Sequence, residues 1–268
     1  MTLSLEQFQQ WNEGLSSATR ALNTEHFPTA LINAIRNILY ADSMMVCLER
    51  RNQAPVLLCE YGVPSDIHEL TVNRYLSKIY MLDPFYMAVE SGLEEGFYHI
   101  SDMAPDDFFE SEYYKVYYIN SGTKEDCYFM INIDDNTKIS LCIYHNSPTH
   151  SYSQQELAQA RSAFSVIKEL ALMAWGNNPS SDEQGDNALH QKLQTVFNEF
   201  GSSVLTDRER DVILLILRGH SSKSAAKVLD IAPGTVQEHR KNTYRKLNIS
   251  SQSELFSVFL DAISGSVS

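Results

Sequence analysis

The chain has 268 residues, 43% of them hydrophobic, and a formal net charge of −13. That length accommodates two domains, and no stretch approaches the run of about 18 apolar residues that a membrane-crossing helix needs. The N-terminus MTLSLEQFQQ lacks a basic region followed by an apolar run, so no secretory leader is expected and the protein is read as cytoplasmic, with no membrane partner.

Two helices open the chain, 4–22 and 28–40, the second with Ala30, Leu31, Ala34, Ile35, Ile38 and Leu39 at helical spacing. Two strands follow, Met44–Glu49 and Val56–Tyr61, joined by the polar turn RRNQAP. Residues 66–80 read as a helix. Residues 83–91 read as another, with Asp83 as N-cap and Pro84 at its first position. Residues 105–120 are helical and crowded with aromatics. The strands Cys127–Ile133 and Ile139–His145 flank a turn of Asp134, Asp135, Asn136 and Thr137. A long helix, 153–175, starts with the capping box Ser153/Glu156. The polar stretch GNNPSSDEQGDN, residues 176–187, reads as a linker, and 188–200 as an amphipathic connecting helix.

The C-terminal stretch is the most specific. Thr206 and Glu209 form a capping box ahead of Val212, Ile213, Leu215, Ile216 and Leu217, and Gly219 stops that helix. Ser222 to Leu229 is a short helix whose small Ala225 and Ala226 permit close packing. Asp230, Ile231 and Ala232 form a turn, and Pro233 and Gly234 open a helix running to Leu247. Val236, Thr243, Leu247 and, in part, His239 belong to its buried side, while Gln237, Glu238, Arg240, Lys241, Asn242, Arg245 and Lys246 point outward. A fourth helix follows Ser253. Helix, tight turn, helix is the layout that places a second helix in the DNA major groove.

Charge supports this division. Residues 201–268 carry nine Lys/Arg against seven Asp/Glu, a net +2, whereas residues 1–200 carry twelve against twenty-seven, a net −15. An acidic body with a mildly basic tail suits a DNA-binding head on a separate sensing domain. A head of only +2 attracts DNA weakly, so a dimer is expected.

The run from Thr206 to Leu247, with TV-x-x-H-x-x-N-x-x-x-KL at its end, resembles the four-helix DNA-binding domain of LuxR/FixJ-type transcriptional regulators. The resemblance covers about a quarter of the chain, residues 203–264. It implies that Gln237, Glu238 and Lys241 face base edges. It also implies that Thr235, His239, Arg240, Asn242 and Lys246 lie near phosphates or support the helix, with Lys223 a further phosphate contact. Gln suits an adenine edge, Lys guanine acceptors and Glu the cytosine amine. The partners implied are double-stranded DNA at a palindromic site, a second copy of the chain, a small-molecule effector and, as a protein partner left open, RNA polymerase. The helices 153–175 and 188–200 and the last helix, with Leu255, Phe256, Val258 and Phe259, are candidate dimer surfaces.

The element order of the first two-thirds is similar to GAF/PAS-like sensor domains. The expected fold class is an α/β sandwich (α/β/α, antiparallel sheet) followed by an all-α four-helix helix-turn-helix domain. The expected divisions are residues 1–176, a linker and connecting helix at 177–200, and 201–268. YLSKIYMLDPFYMAVE (75–90) and DDFFESEYYKVYY (106–118) concentrate phenols beside carboxylates, which points to a polar-lined ligand pocket rather than an aliphatic core. Its candidate residues are Tyr75, Tyr80, Asp83, Phe85, Tyr86, Phe109, Tyr113, Tyr114 and Tyr117. Asp83-Pro84 resembles the Asp-Pro of acyl-homoserine-lactone-binding LuxR proteins, but the tryptophan and tyrosine spacing of that group is not reproduced. Asp83, Asp107, Glu110 and Glu112 among tyrosines would instead suit a small cationic amine.

Other classes find less support. There is no nucleophile elbow, phosphate-cradling Gly loop or H-E-x-x-H run, so neither catalysis nor a cofactor or metal is expected. Cys47, Cys59, Cys127 and Cys142 lack metal-ligand spacing and read as buried thiols. A thiol sensor would need Cys47 beside Cys59, or Cys127 beside Cys142. A phosphorylated receiver would open on a strand, whereas this chain opens on two helices.

Overall fold

Hairpin-forming runs dominate the first two-thirds, and they assemble into one sheet. The computed structural model describes residues 4–147, 150–177 and 183–267, leaving the side chains at 183–187 and 266–267 outside the description. The strands are β1 (Ser43–Arg50), β2 (Val56–Tyr61), β3 (Gly96–His99), β4 (Glu125–Asn132) and β5 (Thr137–His145). They lie in the order β2-β1-β5-β4-β3, antiparallel throughout. The four-residue β3 is absent from the expectations above because it is too short to show alternation.

The helices are α1 (Leu5–Ala21), α2 (Phe27–Ile35), α3 (Arg74–Ser77), α4 (Pro84–Glu90), α5 (Ile100–Met103), α6 (Gln154–Trp175), α7 (Glu183–Glu199), α8 (Asp207–Leu217), α9 (Ser222–Leu229), α10 (Pro233–Leu247) and α11 (Gln252–Val267). The capping boxes of Ser153 with Glu156 and Thr206 with Glu209 both form. Asp83 caps α4 by accepting the Phe85 N–H at 2.8 Å. Two expected helices do not form as single elements. Residues 66–80 break into a π-helical turn Glu69–Asn73, α3 and a 3₁₀ turn beginning at Ile79. Residues 105–120 break into a 3₁₀ turn Phe108–Glu110 and a π-helical turn Tyr114–Ile119. Their tyrosines turn toward polar partners in the interior, and tertiary contact overrides local propensity. The expected linker is also shorter: α7 begins at Glu183, inside it, and residues 178–182 lie outside the described residues.

Strand alternation gives the sheet two unlike faces. One face presents Met44, Val46, Leu48, Cys127, Phe129, Ile131, Ile139, Leu141 and Ile143, covered by α1, α2 and α6 in an aliphatic core. The opposite, inner face carries Met45, Cys47, Glu49, Asp126, Tyr128, Met130, Ser140, Cys142 and Tyr144. The aromatic turns lie over it, and their cluster runs on into α7, α8, α9, α10 and α11. The fold is thus an α/β/α sandwich followed by a helical C-terminal domain.

The C-terminal helices sit directly against the aromatic turns. Ser253 donates to Glu112 at 2.7 Å, Lys227 pairs with Asp106 at 3.2 Å, and Tyr80 shares a hydrogen bond with His190 Nδ1 at 2.8 Å. Gly219 has φ +88°, and a Cβ there would stand 3.0 Å from the Phe108 ring. Gly219→Val is therefore expected to cost about 1–3 kcal/mol through backbone strain and to part the seam. Thermal melting reads this, and an unchanged midpoint would remove Phe108 as a constraint. Leu255, Phe256 and Phe259, expected at a dimer surface, are instead buried, with Phe259 set against Phe197 of α7 and Phe200 just beyond its end. Of that set Val258 is exposed.

Candidate functional site

The first candidate site is the outer face of α10. Ser221 caps α9, Asp230 ends it in the left-handed region, and Pro233 starts α10 at the first-turn position. Val236 and Thr243 are buried and lock α10 on α8 and α9, so the opposite face is exposed. Thr235, Gln237, Glu238 and Lys241 lie on that exposed side, as does Lys223 on α9. Gln237 and Lys241 line a groove completed by Arg240, Tyr244, Arg245, Ile249 and Ser250. Three of the expected side chains are engaged within the domain. Arg240 donates to Ser222 at 2.9 Å and to Tyr244 and Gln252 at 3.2 Å, tying α9, α10 and the start of α11 together. Asn242 bridges Glu238 and Arg245. Lys246 donates to Glu209 at 2.7 Å. Burial opposes ionisation of Glu209, but Lys246 and the Thr206 donors outweigh it and hold that carboxyl below its usual range. Lys246 is thus placed to hold the helix pair. Arg245 joins the groove although it was assigned no role above; its i+4 spacing from Lys241 was the available signal.

The second candidate site is the inner sheet face beneath the aromatic turns. Tyr75, Tyr80, Asp83, Phe85, Tyr86, Tyr113 and Tyr117 are all buried there. Tyr75 donates to Asp83 Oδ2 at 2.6 Å, Tyr117 donates to the Thr71 carbonyl at 3.0 Å, and the Tyr75 and Tyr117 rings stack at 5.5 Å. Phe85 stacks on Tyr128. Two expected residues fall outside. Phe109 is exposed, and Tyr114 is half-buried and donates to the Lys124 carbonyl. Both precede or begin the π-helical turn, whose phase points them away from the sheet. The acidic partners also differ from those expected. Asp107 and Glu110 are exposed, and Glu112 is taken by Lys115 and Ser253.

Instead the strands supply the acids. Glu49 and Asp126 are 7% and 1% exposed on the inner face, beside Asp83 at 1%. Ser140 donates to Glu49 at 2.8 Å and Tyr118 to Asp126 at 2.9 Å. Burial pushes the Glu49 carboxyl up to about 7, against the Ser140 donor and helped by the charges of Asp83 and Glu90. Burial likewise pushes Asp83 up to about 6, against hydrogen bonds from Tyr75, Phe85 N–H and Tyr128. Asp126 is raised well above the usual range by burial, then by Asp83, against Tyr118. On this face, the buried polar atoms without a partner include Glu49 Oε2, Asp126 Oδ1, Thr71 Oγ1 and Tyr113 Oη. Each such atom costs about 1–3 kcal/mol, a sum that a stability-driven core would avoid. The strand acids were visible in the sequence as carboxylates in phase with the core positions of the mainly apolar runs SMMVCLER and EDCYFMIN.

The thiols do not form a sensing pair. Cys47 faces the interior opposite Leu57 while Cys59 is opposite Val46, and Cys127 and Cys142 point to opposite faces. Burial raises all four thiols, Cys59 to about 12, which keeps them protonated and unreactive.

Comparison with known proteins agrees with the helical C-terminal layout. Residues 203–259 match the family described as bacterial regulatory proteins, luxR family. The HTH-type transcriptional regulator in exeN 3'region of Aeromonas salmonicida is 28% identical over 67% of this chain and 93% of its own length. The transcriptional regulatory protein MctR of Rhizobium johnstonii is 44% identical over 36% of this chain, which spans 42% of MctR. The crystal structure of the VqsR LBD domain from Pseudomonas aeruginosa superposes with a TM-score of 0.53 at 19% identity, covering 61% of this chain and 95% of that one, a likeness of fold. Residues 203–259 therefore form a helical domain of the luxR family, carried on an α/β/α domain whose fold is like that of the VqsR LBD domain.

Proposed function

We propose that the protein is a ligand-responsive, DNA-binding transcriptional regulator whose α/β/α domain senses a small cationic amine. The match of residues 203–259 to the luxR family carries the DNA-binding half of this reading. The curated relatives, named as regulators, support a regulator rather than an enzyme. The exposed Gln237, Glu238 and Lys241 read base edges, while Thr235 and Lys223 contact phosphates. Arg240, Asn242 and Lys246 hold the reading helix in place. One helix reads only a few base pairs, so two copies bind a palindromic site. Their dimer contact uses the outer face of α6, where Val166 and Met173 are exposed beside a groove of about 770 Å³ that also includes Phe8 and Trp11.

Lys241→Ala is expected to weaken binding to the specific site by about 1–3 kcal/mol and to leave other DNA nearly unaffected. A gel-shift titration measures this, and an unchanged specific affinity would sink the base contact. Lys246→Ala is expected chiefly to lower the melting temperature, because it strips the buried Glu209 of its cation.

Ligand control follows from the seam between the domains. The aromatic turns that cover the inner face are the ones that hold α7, α8 and α9. A ligand that shifts those turns changes the position of the helix-turn-helix, provided it binds the two arrangements unequally. A second reading, an acyl-homoserine lactone, is favoured by the Asp83-Pro84 pair, with Asp83 accepting the ligand amide. Thermal-shift screening of amines against lactones separates the two. Stabilisation by lactones alone, undiminished in Asp83→Ala, would exclude the amine.

A further inference from the structure

Three carboxylates share the inner face, and their spacing specifies more than charge. Glu49 pairs across the ladder with Lys138 and thence Asn132, whereas Asp126 pairs with Tyr144. Six residues of strand separate the two levels, so the strand acids stand about 20 Å apart along the sheet at about 3.3 Å per residue. Asp83 lies between them, close enough for its charge to act on both. Carboxylates so spread cannot converge on one metal ion, and no metal-ligating cluster occurs among the described residues. Tyr75, Tyr113, Tyr117 and Tyr128 occupy the intervening space, where aromatic faces receive methylene chains and ammonium groups. The orphaned Glu49 Oε2 and Asp126 Oδ1 are buried acceptors at opposite ends of this row, each lacking a donor. Two π-helical turns lie over it, a geometry concentrated at binding sites.

We infer that this face binds a linear polyamine, with protonated nitrogens received by Glu49, Asp83 and Asp126 and the methylene segments laid across the tyrosine rings. The inference rests on the cationic-amine reading above and adds the number and spacing of the positive charges. The ammonium N–H groups satisfy the orphaned oxygens, and the surrounding acidic domain draws the polycation in. A bound cation opposes the rise that burial imposes on the Glu49 and Asp126 carboxyls and favours their ionised forms, so protons are released on binding.

The test is isothermal calorimetry on the full-length protein without DNA, using spermine, putrescine, butylamine and octanoyl-homoserine lactone as probes; extended spermine is long enough to reach both strand acids, and putrescine is not. Spermine is expected to bind more tightly than butylamine by roughly tenfold for each added ion contact. Glu49→Gln and Asp126→Asn should each remove about tenfold of spermine affinity and leave butylamine, held by Asp83, unchanged. In wild type, calorimetry in buffers of differing ionisation enthalpy should show more protons released by spermine than by butylamine; this arm needs no variant. Equal affinities for spermine and butylamine, with equal proton release, would overturn the polyamine while leaving a single-cation site. Spermine binding that ignores both substitutions and vanishes in high salt would be surface counter-ion binding and would overturn it too. Binding of the lactone alone would instead reject the amine reading itself.

Discussion

Glu49→Gln is expected to stabilise the ligand-free protein, and only above mildly acidic pH. In the folded chain the Glu49 carboxyl titrates near about 7, raised from 4.5 by burial. Between those values the folded state holds a proton that the unfolded state has released, so stability falls as pH rises through the window. Removing the carboxyl removes that loss. The advantage of the variant is therefore absent below the unfolded value of 4.5 and complete above pH 7. A shift of that size corresponds to about 3 kcal/mol, which translates into a melting temperature several degrees higher. The Ser140 hydroxyl that donates to Glu49 Oε1 can donate equally to the amide oxygen, so local geometry is kept. Histidines 145, 190 and 220, lowered chiefly by burial, contribute the opposite slope, but they are common to both proteins and cancel in the difference. Paired thermal melts across pH measure the effect. A difference that does not depend on pH would mean that Glu49 is ionised in the fold at no cost.

Phe259→Ala is expected to disable DNA binding without touching the DNA-facing residues. Phe259 is 0% exposed and meets the Phe197 and Phe200 rings edge-on at 5.5 and 5.2 Å. Truncating such a ring costs about 3–5 kcal/mol in lost burial and residual cavity. The loss falls on the contact between α7 and α11, which joins the connecting helix to the helix-turn-helix. Calorimetric unfolding should show the C-terminal helices melting earlier, and gel shifts at the growth temperature should lose specific binding. An unaltered melting profile would show that these three rings do not hold the two helices together.

What was legible in the sequence was local. The capping boxes at Ser153 and Thr206, the cap at Asp83 and the Asp134–Thr137 turn each place hydrogen-bonding groups a few residues apart, so their consequences follow from spacing alone. The same holds for α10, whose buried Val236 and Thr243 and exposed Gln237 and Lys241 obey helical periodicity. The inner face was legible only in part. Tyr75 and Asp83 are eight residues apart and were grouped correctly in the sequence, whereas Glu49 and Asp126 join them only through strand pairing across the sheet.

The sequence by itself thus determined the capped helices, the two hairpins and the bounds of α10, because caps, periods and turns are settled by neighbours along the chain. Tertiary structure alone decided which acids share one face, which aromatics turn inward, and that the C-terminal helices rest on the same turns that cover that face. Those outcomes depend on ladder register and on the phase of two π-helical turns. Register and phase are set by which surfaces can be buried together, a quantity that no single segment carries.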